Sequence, residues 1–489
     1  MNKVLFVSSE AFPLVKTGGL ADVAGSLPRA LSNQGQDVRL LLPAYPVVFK
    51  KVSKTKIVDE QIHYGHSVQI LETRLPGSRV ILWLVNCPAA FDRPGTPYLD
   101  ETGKEWKDNA LRFAILSQTA AYIAMGASQI SWQPDVVHCN DWQSGLVPAL
   151  LSVHKQRPAT IFTIHNLSYQ GVFNKKTFHD LHLPPELWTM HGLEFYDQVS
   201  FIKGGLTYAD HITTVSPTYA KEIQEPKFGC GLDALLTYRK DKLSGIINGI
   251  DTEVWNPGTD PCLKQKYNKR SLDKKIENKT DLQMQMGLPT IANIPLLGMV
   301  GRLVEQKGID IILDALPSLL HLPLQIIIIG TGEHHFATRL TQLAEQFPDK
   351  LKVIIGYDEC MSHLIEASSD IYLMPSKFEP CGLNQLYSLR YGTIPIVRNV
   401  GGLADTVTNA TKQNIENQTA TGFYIKDNNP SSLISSVQLA HKLYHDPIIW
   451  RQLQQSAMSQ DFSWKKSAEK YITIYNDAIK EVKDRQAML

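Results

Sequence analysis

Apolar runs of strand length recur along the chain, separated by stretches in which apolar residues return every three or four positions. In the first half the runs fall at 3–8, 37–42, 79–85, 135–138, 160–164 and 211–215. In the second half they fall at 244–247, 295–300, 324–330, 351–355, 370–374 and 394–397. Short apolar runs alternating with helical periodicity predict a parallel α/β architecture. Two such series predict two doubly wound sheets. The first run leads through Lys16-Thr17-Gly18-Gly19 into a predicted helix. There Leu20, Val23, Ala24, Leu27, Ala30 and Leu31 share one face. Gly35 is its expected stop, and Pro28 is expected to kink it. The chain has no short-period repeat and no low-complexity segment.

Length and composition narrow this picture. At 489 residues the chain is too long for one ordinary core and is expected to form two or more domains. Lys+Arg 49 against Asp+Glu 48 gives a net charge of +1, which asks for neither nucleic acid nor an anionic membrane. The N-terminal apolar run is cut short by Ser8, Ser9 and Glu10, so it reads as a strand rather than a signal peptide. No apolar stretch approaches the length of a membrane span. The six cysteines, at 87, 139, 230, 262, 360 and 381, are scattered without a Cys-x-x-Cys pair. That spacing predicts free thiols in a reducing compartment.

Candidate chemistry falls just after the predicted strands. The run Asp370-Ile371-Tyr372-Leu373-Met374 is followed by Pro375-Ser376-Lys377-Phe378-Glu379-Pro380-Cys381-Gly382, and a helix is expected from Leu383. Glu379 then lies in a strand-to-helix loop at the sheet's carboxyl edge, where α/β folds bind ligands. Free N–H groups at such a helix start suit a phosphate. A bare carboxylate repels one and suits a neutral, hydroxyl-rich group such as a sugar; an exposed loop acid is the alternative. Arg302 and Lys307 sit together in the loop after the run ending at Val300, before a helix expected from Ile309. Two cations there could bind a diphosphate, or could be plain surface charges. The Lys16–Gly19 loop is either a tight turn or an anion-approach loop. Val400-Gly401-Gly402 offers another backbone approach. Asp141-Trp142 and His165-Asn166 each follow a strand, and a lone histidine there can be structural. His-x-x-His occurs at 63/66 and 179/182 without a completing ligand, so zinc is not expected. There is no Asp-x-Asp, the usual metal motif of sugar-nucleotide transferases, and no metal or cofactor is expected. A dinucleotide-binding dehydrogenase would need Gly-x-Gly-x-x-Gly after the first strand, which is absent. Lys264, Lys266, Lys269, Arg270, Lys274, Lys275 and Lys279 form a basic stretch that reads as a solvated face, with one lysine reaching into a neighbouring cleft as the alternative.

Taken in order, Lys16-Thr17-Gly18-Gly19-Leu20-Ala21-Asp22-Val23, Arg93-Pro94-Gly95-Thr96-Pro97-Tyr98, His165-Asn166, Gly301-Arg302-Leu303 with Lys307-Gly308, Glu379-Pro380-Cys381-Gly382-Leu383 and Phe462-Ser463-Trp464 resemble the bacterial glycogen synthases and the related plant starch synthases. The resemblance implies a GT-B architecture, two Rossmann-like doubly wound domains facing across a deep cleft. It implies an N-terminal acceptor-side domain over 1–245 and a nucleotide-sugar domain over 246–465. A last helix over about 466–489 would pack back on the first domain. It implies a cytoplasmic enzyme that retains configuration while moving glucose from ADP-glucose to glycogen or a malto-oligosaccharide. Position by position, it implies donor contact for Lys16, Gly18 and Gly19. Asp22, His165, Asn248 and Glu379 fall near the transferred glucose. Arg302 and Lys307 fall on the diphosphate, and Tyr357 by the base. Cys381, Gly382 and Leu383 cradle donor phosphate and sugar, with Gly401 and Gly402 beside them. Tyr98, Asp141, Asn166 and Lys279 are further candidate substrate contacts. Two departures stand out: Val400 where the family pattern has Thr before Gly-Gly, and Asn140 and Gln143 beside Asp141-Trp142 where relatives often have His.

Overall fold

The computed structural model describes residues 1–488, which divide into two compact units. The first holds Met1–Gly249 and the C-terminal segment from Trp464; the second is Ile250–Ser463.

In the first unit the strands are β1 (Lys3–Val7), β2 (Asp37–Pro43), β3 (Lys56–His63), β4 (His66–Arg74), β5 (Ile81–Asn86), β6 (Val136–Asn140) and β7 (Ala159–Ile164). Three short strands follow, β8 (Val172–Asn174), β9 (Glu194–Phe195) and β10 (Gln198–Ser200), then β11 (His211–Thr214) and β12 (Leu243–Gly245). The main sheet runs β12-β11-β7-β6-β1-β2-β5-β4-β3, and β8-β10-β9 form a separate small sheet. From β12 to β5 every pairing is parallel; β4 and β3 add an antiparallel hairpin at the edge. The run at 244–247, grouped above with the second series, pairs with β11 and closes the first sheet instead. Parallel strands covered on both faces are apolar throughout rather than alternating, and β6 and β7 are buried along their whole length.

The helix after β1 spans Gly19–Asn33 and continues through Pro28. The last helix, Trp464–Ala487, belongs to the first unit. Its Tyr475 hydroxyl pairs at 2.7 Å with His138 Nδ1 inside β6, and His138 Nε2 pairs at 2.6 Å with Thr163 Oγ1 of β7. Burial holds that imidazole neutral, with its pKa down at about 3. His138 is therefore a satisfied core histidine that pins the C-terminal helix.

The second unit has β13 (Leu296–Val300), β14 (Gln325–Gly330), β15 (Leu351–Ile355), β16 (Ile371–Met374), β17 (Ile394–Arg398) and β18 (Phe423–Ile425). They form one parallel sheet in the order β15-β14-β13-β16-β17-β18. Counted from its own first strand this is the dinucleotide-fold order, and the direction of winding reverses between β13 and β16. The first unit's order reverses in the same way between β1 and β6. Each reversal opens a crevice at the strands' carboxyl ends, which is where ligands bind in such sheets.

The cysteines depart from the expectation of free thiols. Cys262 and Cys360, both in the second unit, form a disulfide with Cα atoms 5.3 Å apart. Spacing could not show this, because 98 positions separate them and only the fold brings them together. Cys87, Cys139, Cys230 and Cys381 are not in disulfides. No helix among the described residues is long and apolar enough to cross a membrane.

Candidate active site

The second unit places its chemistry at its switch point. The loop after β13 carries Arg302 and Lys307; the loop after β16 carries Glu379. Gly308 is the pivot, in a left-handed conformation (φ 73°), and a Cβ there would meet Pro375 O at 2.3 Å. The two loops are then tied together. Lys377 N donates to Gln306 O at 2.8 Å, and Gln306 Nε2 donates to Phe378 O at 3.3 Å. The loop after β17 joins them, because Gly402 N donates to Glu379 O at 3.0 Å. A Cβ on Gly402 would stand 2.1 Å from Cys381 O. Gly402 thus serves the contact between loops, and its N–H is spent on Glu379 rather than offered to a ligand. Gly401 begins the same short helix, Gly401–Thr406.

Glu379 is not an exposed loop acid: it is 6% exposed. Its Oε2 accepts from Lys307 Nζ at 2.5 Å and from Ser376 Oγ at 3.0 Å. The carboxylate and lysine assigned by resemblance to sugar and diphosphate are thus immediate neighbours. Arg302 is exposed on the same loop and donates to Gln306 Oε1 at 2.9 Å. Cys381 is buried, and Gly382 and Leu383 lead into the helix Asn384–Tyr391. Asn384 braces that start by donating to Val300 O at 2.9 Å and to Tyr372 Oη at 2.7 Å. Tyr357 follows β15 and is 65% exposed, with its hydroxyl on Glu359.

Lys279 is elsewhere. It is 1% exposed, and its ammonium donates to Asp370 Oδ2 at 2.6 Å, Ile294 O at 2.6 Å, Tyr444 Oη at 3.1 Å and Ala292 O at 3.2 Å. Asp370 precedes β16, so this pair lies at the amino edge of the sheet, opposite the loops above. Burial alone would lower the lysine's pKa; Asp370 and Tyr444 outweigh it and raise it. The expectation of a substrate contact at Lys279 is therefore corrected to a structural ion pair.

In the first unit the switch point gathers the Lys16 loop, Asp141 and His165. Lys16 Nζ pairs with Asp22 Oδ1 at 2.8 Å across the start of the helix. Gly18 is the N-cap of that helix and Gly19 its first residue. The loop is organised from below by Glu10, one of the polar residues that end the first apolar run. Glu10 is 3% exposed. Its carboxylate accepts from Thr17 N at 2.5 Å, Thr17 Oγ1 at 2.9 Å, Gly18 N at 3.3 Å and Tyr98 Oη at 2.8 Å. Burial raises its pKa, and those hydrogen bonds oppose the rise. Tyr98 reaches the site through its support, since its hydroxyl pairs with Glu10 and Ser9.

Asp141 sits after β6 with φ 54°, a left-handed backbone unusual for a residue with a side chain. Its Oδ1 accepts from His165 N at 2.7 Å. Burial pushes its pKa up to about 7, opposed by backbone N–H groups of His165 and Asn166. His165 is buried, which lowers its pKa to about 3. It is neutral, and its Nε2–H donates to Asn140 Oδ1 at 2.9 Å. Asn140 thus has a definite part, as the acceptor that holds the His165 ring. Asn166 follows, and its side chain accepts from Ser168 N at 3.0 Å. Asn248 is 5% exposed with its Oδ1 unpaired, and Gln143 Oε1 is likewise buried and unpaired. Buried polar atoms without partners are rare and here lie among residues singled out for sugar contact or beside them.

The starch synthase catalytic domain family matches residues 3–238, and the group 1 glycosyl transferase family matches 289–456. Glycogen synthase 1 of Methylococcus capsulatus is 53% identical over 98% of this chain and 97% of its own length. Glycogen synthase of Cellvibrio japonicus is 52% identical over 97% of this chain and 99% of its own. Among solved structures, the catalytic domain of starch synthase IV from Arabidopsis thaliana, bound to ADP and acarbose, superposes with a TM-score of 0.89. It is 32% identical and covers 98% of this chain and 99% of that one. Sucrose-phosphate synthase from Thermosynechococcus elongatus, 17% identical with a TM-score of 0.60 over 98% of this chain and 99% of that one, shares the fold. With two dinucleotide-type sheets, glycosyltransferase families on both units and about half of all residues shared with such relatives across nearly the whole length, this chain belongs to the glycogen synthase family and has the GT-B fold.

Proposed function

We propose that this chain transfers glucose from ADP-glucose, with retention of configuration, to the 4-hydroxyl at the non-reducing end of an α-1,4-glucan. The acceptor is glycogen or a malto-oligosaccharide, and the reaction takes place in the cytoplasm. The carrying observation is the buried Glu379 carboxylate beside Lys307 at the second unit's switch point. A departing nucleoside diphosphate needs positive charge, and the sugar it leaves becomes cationic. Lys307 and Arg302 serve the first need, with the N–H groups at the start of the helix after Cys381, Gly382 and Leu383. Glu379 serves the second. Tyr357 takes the base. On the first unit, Lys16, Gly18 and Gly19 contact the donor, while Asp22, His165 and Asn248 meet the glucose. Tyr98, Asp141 and Asn166 support the site's sugar-binding surface. Neutral His165, acting at working pH as a hydrogen-bond group, fits a hydroxyl better than a phosphate.

A donor panel with glycogen as acceptor tests the reading. ADP-glucose is expected to outrun UDP-glucose and GDP-glucose, and transfer from none of the sugar nucleotides would overturn it. No divalent metal enters the scheme, so in excess EDTA the rate is expected to stay within about twofold, a barrier change below roughly 0.5 kcal/mol. A large loss restored by Mg²⁺ would remove the charge role given to Arg302 and Lys307. Arg302→Ala deletes one charge-assisted contact worth about 1.5–3 kcal/mol, so the efficiency with ADP-glucose is expected to fall about ten- to a hundredfold. Near-native efficiency would take the diphosphate away from Arg302.

A further inference from the structure

The Cys262–Cys360 disulfide is not part of the chemistry above, yet it is placed where it can act on it. Cys262 lies in the segment that opens the second unit, and Cys360 is the second residue of the helix Glu359–Ser368. Cys360 is exposed, so the bond is open to a thiol in solution. The segment holding Cys262 grips two helices. Asp260 accepts from Cys262 N at 2.9 Å, from the His363 ring at 2.7 Å and from Tyr391 Oη at 2.5 Å. Trp255 is sandwiched between His363, with ring centroids 3.8 Å apart, and Tyr387, at 3.6 Å. Tyr267 Oη donates to Tyr391 O at 2.7 Å. His363 belongs to the helix Glu359–Ser368, and Tyr387 and Tyr391 to the helix Asn384–Tyr391. These are the helices that begin from the Tyr357 loop and from the Glu379–Leu383 loop. One covalent bond thus fastens a clamp over the two helices that carry the donor-facing loops.

We propose that Cys262–Cys360 is a redox-responsive dithiol–disulfide pair that sets the second unit's affinity for the nucleotide sugar. This rests on the donor reading given above. In a cytoplasm kept reducing by thiols, an exposed disulfide is conditional, and such bonds characteristically sense redox state. The reductant is a dithiol. One of its thiolates attacks Cys262 Sγ, and Cys360 leaves as a thiolate and takes up a proton. The reductant's second thiol then displaces Cys262, so the reductant becomes a disulfide while the protein gains two electrons and two protons. Cys360 suits the leaving role because it lies in the first turn of its helix, where the positive end of the helix dipole favours a thiolate. The cationic His363 one turn on favours it too: Asp260 and Glu359 overcome the effect of burial and raise that imidazole to about 9. With the bond open, the clamp is held only by non-covalent contacts, and the starts of both helices gain freedom.

The test uses the full-length enzyme equilibrated in a series of oxidised and reduced dithiothreitol buffers, with alkylation and mass spectrometry to count thiols at Cys262 and Cys360. Full reduction is expected to raise the KM for ADP-glucose about fivefold, a coupling at the low end for linked sites, with a smaller effect on kcat, and reoxidation is expected to reverse it. Cys262→Ser and Cys360→Ser should both behave as the reduced enzyme in every buffer, while Cys230→Ser keeps the response. Equal KM in the two states, or alkylation of both cysteines in fully oxidising buffer, overturns the proposal; reduction of the unmutated enzyme decides it even where a variant fails to fold. Absence of glucosyl transfer in every state, with ADP-glucose binding still dependent on redox state, overturns the reading of the activity instead and leaves the redox pair standing.

Discussion

Glu379→Gln is expected to lower kcat about a hundred- to a thousandfold, the loss found when one preorganised charge-stabilising group is taken from a reacting centre. The KM for ADP-glucose should stay within about threefold, because the interaction lost is one made in the transition state. The substitution keeps the shape of the side chain of a residue that is 6% exposed, locked by Lys307 and Ser376 on a backbone that Gly402 N holds through the Glu379 carbonyl. It removes only the charge. On the reading proposed above, the ground-state donor is a polyanion held by Arg302, Lys307 and backbone N–H groups, so a carboxylate adds nothing to its binding. Its value appears when the sugar carbon becomes positive. Steady-state kinetics with glycogen in excess reads the split. A variant with unchanged kcat and a strongly raised KM would make Glu379 a binding residue and leave the developing charge to another group.

Most of this organisation could be read from the chain because its sheets are parallel and buried on both faces. Runs such as Gln325–Gly330 are apolar end to end and announce themselves. The edge strand β3 does the opposite. Its buried face carries Asp59, Gln61 and His63, hydrogen-bonded in a row, while Ile57 and Ile62 face outward, 50% and 78% exposed. Burial lowers the His63 pKa to about 4, so the row is completed by a neutral imidazole. That polarity is inverted from the rule used to find strands, and the hairpin went unseen. Candidate site residues divide in a similar way. Arg302, Lys307 and Glu379 were legible as charges at the ends of strands. Glu10 was not, although the same signal was present: an acid directly after the first strand at a carboxyl edge. Only the fold shows that its four donors come from Thr17, Gly18 and Tyr98. The disulfide was illegible for the reason that any long-range pairing is, since local spacing carries no information across 98 positions.

Lys279 offers the sharpest separation between a role inferred from family pattern and one inferred from position. Its ammonium sits among four oxygens at the amino edge of the second sheet. Asp370, its ionic partner, also accepts from Leu296 N at 2.9 Å at the start of β13, so the pair staples two central strands and the helix Lys275–Gln285 together. Removing one member of a buried pair strands the other, and Lys279→Ala is expected to cost about 3–5 kcal/mol. For a unit of this size that lowers the midpoint of its thermal transition by about 6–20 °C. Replacing both members by apolar residues, Lys279→Met with Asp370→Leu, should recover part of the loss, because no unpaired charge remains buried. Well below the transition, the single variant's KM for ADP-glucose should stay within about twofold of the parent, since no ligand contact has been removed. Differential scanning calorimetry and donor kinetics on the same preparation read both quantities. An unshifted transition together with a large rise in KM would return Lys279 to the substrate and refute the structural assignment.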